Sequence, residues 1–213
     1  MPSSTDTTPH HPAAAVVERV QRVDARRNRE RVIQAAKTCM ARDGLDTQME
    51  EIARAAGVGV GTVYRHFSTK EDLVEALAME RFERLSQLAR EALAQGDPWD
   101  SFERFMRASA RIQSEDRALS EVLTSRPDTM SRAAESVGIL GLVAQLLERG
   151  QAAGVVRKDA DPRDVPMIMC ALAGTFRTPH SNPDRYIGIA LDGLRAPGGK
   201  LTRLPAVTDP HEA

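Results

Sequence analysis

The residues best suited to hydrogen bonding and surface recognition lie between positions 59 and 70, a segment that combines small, aromatic and basic side chains. Tyr64 carries a phenolic donor and His66 an imidazole, and both can donate hydrogen bonds to backbone phosphates. Val60 offers a methyl surface that suits a thymine methyl group, and Thr62 can contact either a phosphate or a base edge. Residues of these types in one short segment indicate binding to a nucleic-acid duplex.

Two short helices joined by a tight turn would present this segment to DNA. The sequence predicts a first helix over about Gln48–Ala56, begun by a capping box of Thr47 and Glu50. It predicts a second helix over about Val60–Phe67, with Gly57 as the natural turn residue of positive φ. This is a helix-turn-helix, whose second helix can enter a major groove about 12 Å wide.

Residues 58–73 read VGVGTVYRHFSTKEDL, which resembles the signature of TetR-family transcriptional regulators. The resemblance covers about Arg26–Arg84 and includes a glycine stop at Gly44 before the motif. It implies an all-α fold with an N-terminal three-helix helix-turn-helix domain and a C-terminal helical domain for ligand binding and dimerisation. The implied function is sequence-specific DNA binding by a ligand-released repressor.

The resemblance also implies individual DNA contacts. Polar side chains are expected to contact the DNA backbone, and the residues at positions 60, 61, 62 and 65 are expected to recognise the bases. Many members have a lysine or polar residue where Val60 stands, so base reading here is expected to depend on apolar contact and close backbone approach. The candidate DNA-binding residues are Arg27, Arg29, Thr47, Val60, Gly61, Thr62, Tyr64, Arg65, His66 and Lys70.

The charge distribution supports a polyanionic partner. The formal net charge is −1, but residues 19–70 contain eleven basic and six acidic residues, so the remainder is acidic. A basic segment on an acidic chain is typical of a nucleic-acid-binding domain. Arg22, Arg26, Arg27 and Arg29 resemble the basic arms that some family members place on phosphates. The alternative for these arginines is a solvated, charged helix face.

The rest of the chain also predicts helices and no strands. The first helix is predicted to begin at Asp24 or Ala25, and a long helix from Thr69 to about Gln95 is the expected lever between the two domains. About nine helices are predicted in all. Those after the long helix are expected at about 99–118, 119–124, 129–153, 163–177 and 184–195.

These elements suggest a domain organisation. We expect a disordered tail over residues 1–23 and a DNA-binding domain over 24–70, joined by the connecting helix. The ligand-binding and dimerisation domain is expected over 96–196, and residues 197–213 form a loose tail.

A homodimer is implied by the resemblance, because the last two helices of family members pair with their copies in a four-helix bundle. A dimer would bind a palindromic operator. The apolar candidates for this interface are Val165, Ile168, Met169, Leu172, Ala173, Ile187, Ala190, Leu191 and Leu194.

A small-molecule effector is implied in the same way, and an apolar pocket between the central helices would suit a mainly apolar compound. Apolar residues at helical spacing also form ordinary core. The candidate lining residues are Trp99, Phe102, Phe105, Met106, Met130, Met167 and Phe176.

Other classes of function lack support in the sequence. It contains no Gly-x-Ser-x-Gly, His-Glu-x-x-His or P-loop motif, so we assign no catalytic residue. Two cysteines without a Cys-x-x-Cys pair give no reason to expect a metal or cofactor. No apolar stretch has the length of a membrane span or signal peptide, which predicts a cytoplasmic address. The remaining alternative is a helical interaction or small-molecule-binding protein whose helix-turn-helix is only structural.

Overall fold

The computed structural model describes residues 12–94, 96–115, 117–175, 182–196 and 198. Over these ranges the chain forms ten α-helices and a short 3₁₀-helix at Gly44–Asp46, and one isolated antiparallel bridge joins Val156 to Arg195. No helix within them is long and apolar enough to cross a membrane. The predicted all-α fold is confirmed. The helices are α1 (Pro12–Asp43), α2 (Met49–Ala56), α3 (Val60–His66), α4 (Lys70–Leu93), α5 (Pro98–Glu115), α6 (Arg117–Thr124), α7 (Pro127–Val137), α8 (Ile139–Ala152), α9 (Asp164–Thr175) and α10 (Pro183–Leu194).

The first helix is much longer than predicted. It begins at Pro12, so the predicted start at Asp24 is wrong. Proline is favourable in the first turn, where its missing N–H costs no hydrogen bond, and Ala13–Ala15 follow with the highest helix propensity. The predicted disordered tail covered residues 1–23: residues 1–11 lie outside the described residues, and residues 12–23 are helical, so that part of the prediction is wrong. With 32 residues, α1 is about 48 Å long.

Two helices replace the single helix predicted over residues 129–153. Gly138 has a φ of 70°, and its N–H donates to the carbonyls of Ala134 and Glu135 at 3.0 Å, which ends α7. A left-handed glycine is a common helix stop, since it carries no Cβ to clash with the preceding turn. The chain then resumes as α8 at Ile139. The other helix ends agree with the predictions to within a few residues.

The helices enclose two hydrophobic cores. Buried side chains of α1, α2, α3 and the first half of α4 form the first core, together with Leu119, Val122 and Leu123 of α6. The second core lies between the end of α4 and helices α5, α7, α8, α9 and α10, and Phe82 of α4 packs against both. Helix α4 therefore links the helix-turn-helix to the C-terminal helices. The domain limits stay a prediction.

Gly150 of α8 is required by close packing in the second core. A Cβ at this position would lie 2.5 Å from Cγ2 of Val156, which is fully buried and β-branched and so cannot easily move aside. We expect Gly150→Ala to lower the free energy of unfolding by about 1–3 kcal/mol, as overpacking does. Gly141 of the same helix has no atom within 4 Å of the corresponding position.

Gly141→Ala is therefore the matched control for this prediction. It should raise the free energy of unfolding by up to about 1 kcal/mol, because alanine is the better helix former. Equilibrium urea unfolding of the two variants and the wild type measures both changes. Equal stability of the two variants would show that the contact with Val156 does not limit residue 150.

Candidate nucleic-acid interface

The turn between α2 and α3 depends on Gly57. Its φ is 63°, and its N–H donates to the carbonyl of Arg54 at 3.1 Å. Arg31 of α1 donates from Nη2 to the Gly57 carbonyl at 3.2 Å. A Cβ at position 57 would lie 2.8 Å from that same nitrogen. The positive φ and the close approach both favour glycine, and the predicted turn residue is confirmed.

Helix α3 has one buried side and one exposed side. Val63 is fully buried and Phe67, just past the helix end, is 3% exposed; both pack with Ile52 of α2 in the first core. On the other side, Val60 is 37% exposed and Tyr64 is 43% exposed. The buried contacts fix α3 against α2, so its exposed side chains have a defined direction relative to the rest of the protein.

The other predicted contact residues of α3 lie around this exposed side. Gly61 and Arg65 are exposed, and Thr62 and His66 are half-buried. Arg65 donates from Nε to the Gly61 carbonyl at 3.2 Å, which holds its guanidinium along its own helix. The structure therefore brings these residues together on one surface. Their contacts with DNA stay a prediction.

Thr47 and Lys70, both predicted to contact DNA, instead form hydrogen bonds within the protein. Thr47 is fully buried and its hydroxyl donates to the Gly44 carbonyl at 3.0 Å, while Gln48 and Glu51 form the capping box of α2. The ammonium of the half-buried Lys70 donates to the carbonyl of Leu45. The expected cap at Thr47 is wrong, and both side chains hold the 3₁₀ turn before α2. A fully buried Thr47 cannot reach DNA in this conformation.

The arginines of α1 adjoin the helix-turn-helix. Arg27 and Arg29 are exposed, which fits both a DNA-contacting arm and a solvated, charged helix face, so their contact with DNA stays a prediction. The guanidinium carbon of Arg29 lies 5.3 Å from the centroid of the Phe67 ring, within the range of a cation–π contact. Arg26 forms an exposed ion pair with Glu30 at 3.0 Å, a contact of little energetic weight.

Comparison with known proteins identifies the family. Residues 32–77 match the model for bacterial regulatory proteins of the tetR family, and residues 97–196 match the C-terminal domain of SbtR-like transcriptional regulators. The TetR transcription regulatory protein from Mycobacterium vanbaalenii is 36% identical, with a TM-score of 0.59; the similarity covers 82% of this chain and 99% of that one. The chain belongs to the TetR family of transcriptional regulators.

Two further relatives agree with this assignment. The TetR transcriptional regulator SCO0520 from Streptomyces coelicolor is 28% identical over 79% of this chain and 98% of its own, with a TM-score of 0.58. HTH-type transcriptional regulators of Staphylococcus aureus are 42% identical over 53 residues, which is 24% of this chain and 29% of theirs. The chain therefore matches less than a third of the length of these curated relatives.

The six predicted effector-binding residues that the structure describes do not converge in this TetR-family regulator. Residues 99, 102, 105 and 106 are buried in the second core, whereas Met130 packs against the first core. Met167 is 63% exposed, and Phe176 lies outside the described residues. Periodicity identified Trp99, Phe102, Phe105 and Met106 as inward-facing but could not separate core from pocket.

The polar partners of Trp99 were not predicted from the sequence. Its indole N–H donates to Glu103 at 2.7 Å, and the guanidinium carbon of Arg195 lies 4.2 Å from the Trp99 ring centroid. A hydrogen bond from Arg107 lowers the pKa of Glu103 below its ordinary value. The spacing of Trp99, Glu103 and Arg107 at one helical turn was the available signal for this cluster, while Arg195 is distant in sequence.

The predicted dimer face is mostly buried within the single chain. Ile168, Met169, Ala173 and Ala190 are half-buried. The other five predicted residues pack in the second core and cannot reach another subunit in this conformation: Val165, Leu172, Ile187, Leu191 and Leu194.

Different residues of the same two helices are exposed. On α10, Tyr186 is 37% exposed and Ile189 is 57% exposed, and on α9 the exposed Met167 is followed by Cys170 and Gly174 at helical spacing. Since α9 is apolar on nearly all sides, its sequence could not tell which side faces inward.

Proposed function

We propose that this regulator binds a palindromic operator as a dimer, with α3 of each copy in successive major grooves about 34 Å apart. The observation that carries the proposal is the two-sided packing of α3. Val63 and Phe67 fix the helix in the first core, and Val60 and Tyr64 remain in solvent on the other side. A rigidly held helix with a polar, aromatic and methyl-bearing outer surface suits the edges and phosphates of a major groove.

The side chains of α3 would have different roles in DNA recognition. Tyr64 and His66 would donate to phosphates and set the register of the helix on DNA, while Val60 would contact a thymine methyl. Gly61 has no side chain, so the backbone of α3 could approach the DNA closely at this position. No atom lies within 4 Å of a Cβ built there, so the fold has room for a larger residue. Packing alone therefore does not account for this glycine. Thr47 and Lys70 would act by positioning α2.

Dimerisation would use the exposed apolar sides of α9 and α10 described above. The helix pair leaves Met167 and Ile189 in solvent, and small residues such as Gly174 and Gly193 lie at helical spacing from them. Small residues let helices approach closely. A second copy seated here would remove these apolar side chains from water, which is the favourable term in most association.

Release by an effector would act through α4. Two ion pairs join the start of this helix to the region of α7: Arg126 to Glu71 at 2.8 Å and Arg132 to Glu75 at 3.4 Å. The hydrogen bond from Arg126 lowers the pKa of Glu71, because it favours the charged form of this carboxyl. We propose that a mainly apolar effector bound among the C-terminal helices shifts α7 and, with it, α4 and α3. The effector must bind the released arrangement more tightly, since equal affinity for both would shift nothing.

Selection of bound duplexes from a random pool tests the proposal. We expect an inverted repeat as the selected sequence. Tyr64→Ala should weaken binding to it and leave the salt slope nearly unchanged, because a neutral phenol that donates to a phosphate displaces no counterion. Tyr64→Phe is the matched variant, because it keeps the ring and removes only the donor: it should lose the part of the affinity that the phosphate hydrogen bond supplies. Selection without a preferred sequence, or a Tyr64→Ala variant with wild-type affinity, would contradict the proposal.

A further inference from the structure

We infer that Arg195, which lies over the ring of Trp99, positions the end of α10 for the contact between the two copies and so couples the second core to the subunit interface. This inference rests on the proposed dimer of α9 and α10, and it adds a route between core and interface that does not pass through α4. The observation behind it is that several contacts attach the last residues of α10 to the loop after α8 and to the start of α5.

The end of α10 is attached to the loop that follows α8 by hydrogen bonds. The N–H of Arg157 donates to the carbonyl of Leu194 at 3.0 Å, and the N–H of Ala196 donates to the carbonyl of Val155 at 2.9 Å. The guanidinium of Arg157 adds a third bond, from Nη1 to the carbonyl of Gly193 at 3.1 Å. The end of α10 is therefore held at neighbouring residues, which fixes both its position and its rotation about the helix axis.

Arg157 is itself held in place within this loop. Its side chain is 8% exposed, and it donates from Nε and Nη2 to the two carboxylate oxygens of Asp159 at 2.7 Å and 2.9 Å. A bidentate pair of this kind fixes the plane of the guanidinium. Gln151 of α8 donates from Nε2 to the carbonyls of Arg157 and Ala160, at 3.1 Å and 2.9 Å. The loop is therefore a fixed point to which the end of α10 is attached.

Arg195 extends the attachment from the loop to the second core. Its guanidinium carbon lies 4.2 Å from the centroid of the Trp99 ring, a distance at which a cation and an indole attract each other. Trp99 is 8% exposed, and its ring centroid lies 6.2 Å from that of the fully buried Phe102. The indole N–H donates to Glu103, which holds the ring in this orientation. A continuous row of contacts thus runs from the second core to the end of α10.

The attached end of α10 carries part of the proposed interface. Leu194 is buried in the second core, whereas Ile189 and Gly193 are exposed. Gly193 lies about one turn after Ile189, and its carbonyl is the one that accepts from Arg157. A helix end that is already fixed loses less conformational freedom when a second copy binds. Loss of the Arg195 contact should therefore weaken the dimer, although this contact lies within one chain.

Three single substitutions test the inference. Arg195→Gln removes the cation and leaves the main-chain bonds of the bridge in place, while Arg195→Lys keeps a cation at the same position. The control is Arg104→Gln, which makes the same change of charge at an exposed arginine of α5. Sedimentation over a dilution series measures the dissociation constant of each dimer, and circular dichroism measures the helix content. Where the dimer is too tight to separate by dilution, the same set is made in an Ile189→Ala background.

We expect Arg195→Gln to raise the dissociation constant of the dimer about 4- to 25-fold. A cation over an indole at an exposed site changes an equilibrium constant about two- to fivefold, and a dimer contains two such contacts. Arg195→Lys should recover most of this loss, and Arg104→Gln should match the wild type. All three variants should keep the helix content of the wild type, since both arginines are exposed.

The emission of Trp99 gives a second readout, because it is the only tryptophan in the chain. A charge close to an indole changes its emission, and the end of α10 should hold Arg195 over the ring less firmly in a free copy than in a dimer. Coupling is reciprocal, so dissociation of the wild type should change the emission with the same midpoint as the fall in mass. The same dilution of Arg195→Gln should leave the emission unchanged. A contact that only stabilises each chain would not make the emission depend on dissociation.

The other outcomes overturn the inference and can be told apart. If Arg195→Gln has the dissociation constant of the wild type, or if the wild-type emission does not change on dissociation, Arg195 does not position α10 for the second copy. If Arg195→Gln loses helix content, the contact serves stability alone. In each of these cases the proposed dimer stands, provided that Ile189→Glu dissociates it. A wild type that is monomeric at every concentration, or an Ile189→Glu variant that stays dimeric, would overturn the proposed interface together with this inference.

Discussion

Replacing Val60 with aspartate is expected to abolish operator binding while the fold stays intact. Val60 is the first residue of α3, is 37% exposed, and opens a first turn that contains no acidic residue. An aspartate there would interact favourably with the helix dipole, by about 0.3–1 kcal/mol, so stability should hold or rise. The same carboxylate would face DNA, where opposed like charges cost several kcal/mol. With two copies on an operator, affinity should fall at least about 100-fold.

Val60→Asn separates charge from shape in this experiment, because asparagine matches aspartate in size and carries no charge. We expect the asparagine variant to change the preferred bases with a much smaller loss of affinity. Fluorescence anisotropy on the selected duplex measures binding, and thermal unfolding measures the fold. A Val60→Asp variant that binds as tightly as the wild type would show that the outer side of α3 does not face DNA.

The helix-turn-helix could be predicted because its determinants are local. Gly57 sets the turn and Val63 sets the inward side of α3, and both are evident within a few residues. The predicted cap of α2 by Thr47 and Glu50 was wrong, since Gln48 and Glu51 form the capping box one residue later. The hydroxyl of the fully buried Thr47 donates to the Gly44 carbonyl in the preceding 3₁₀ turn, and α2 begins one residue later with Gln48 as its N-cap.

The C-terminal helices show that hydrophobic periodicity does not predict which elements pack together. Leu119, Val122 and Leu123 are apolar at helical spacing, which predicts burial but not that α6 packs in the core of the helix-turn-helix. Helix α9 is apolar on nearly every side, so its pattern does not distinguish the buried Leu172 from the exposed Met167. Such assignments depend on which other helices pack against the element, and that information is distributed over the whole chain.

Replacing Ile189 with glutamate is expected to dissociate the proposed dimer, because Ile189 lies on the exposed side of α10. Ile189 is 57% exposed in the single chain, so the substitution leaves the second core unchanged. In a symmetric dimer each copy would place the new charge in the interface, where desolvation and mutual repulsion cost several kcal/mol. Sedimentation should report the mass of one 23.3 kDa chain.

Operator affinity should fall with the dimer, because linking two binding modules raises overall affinity by about 100- to 10,000-fold over either alone. Leu140→Glu of α8 is the matched control: Leu140 is 47% exposed and lies outside α9 and α10, so it should remain dimeric and bind as the wild type does. If Ile189→Glu stays dimeric while Leu140→Glu dissociates, the interface lies on α8. If neither dissociates, the subunits meet elsewhere, and the half-site spacing must be set by another surface.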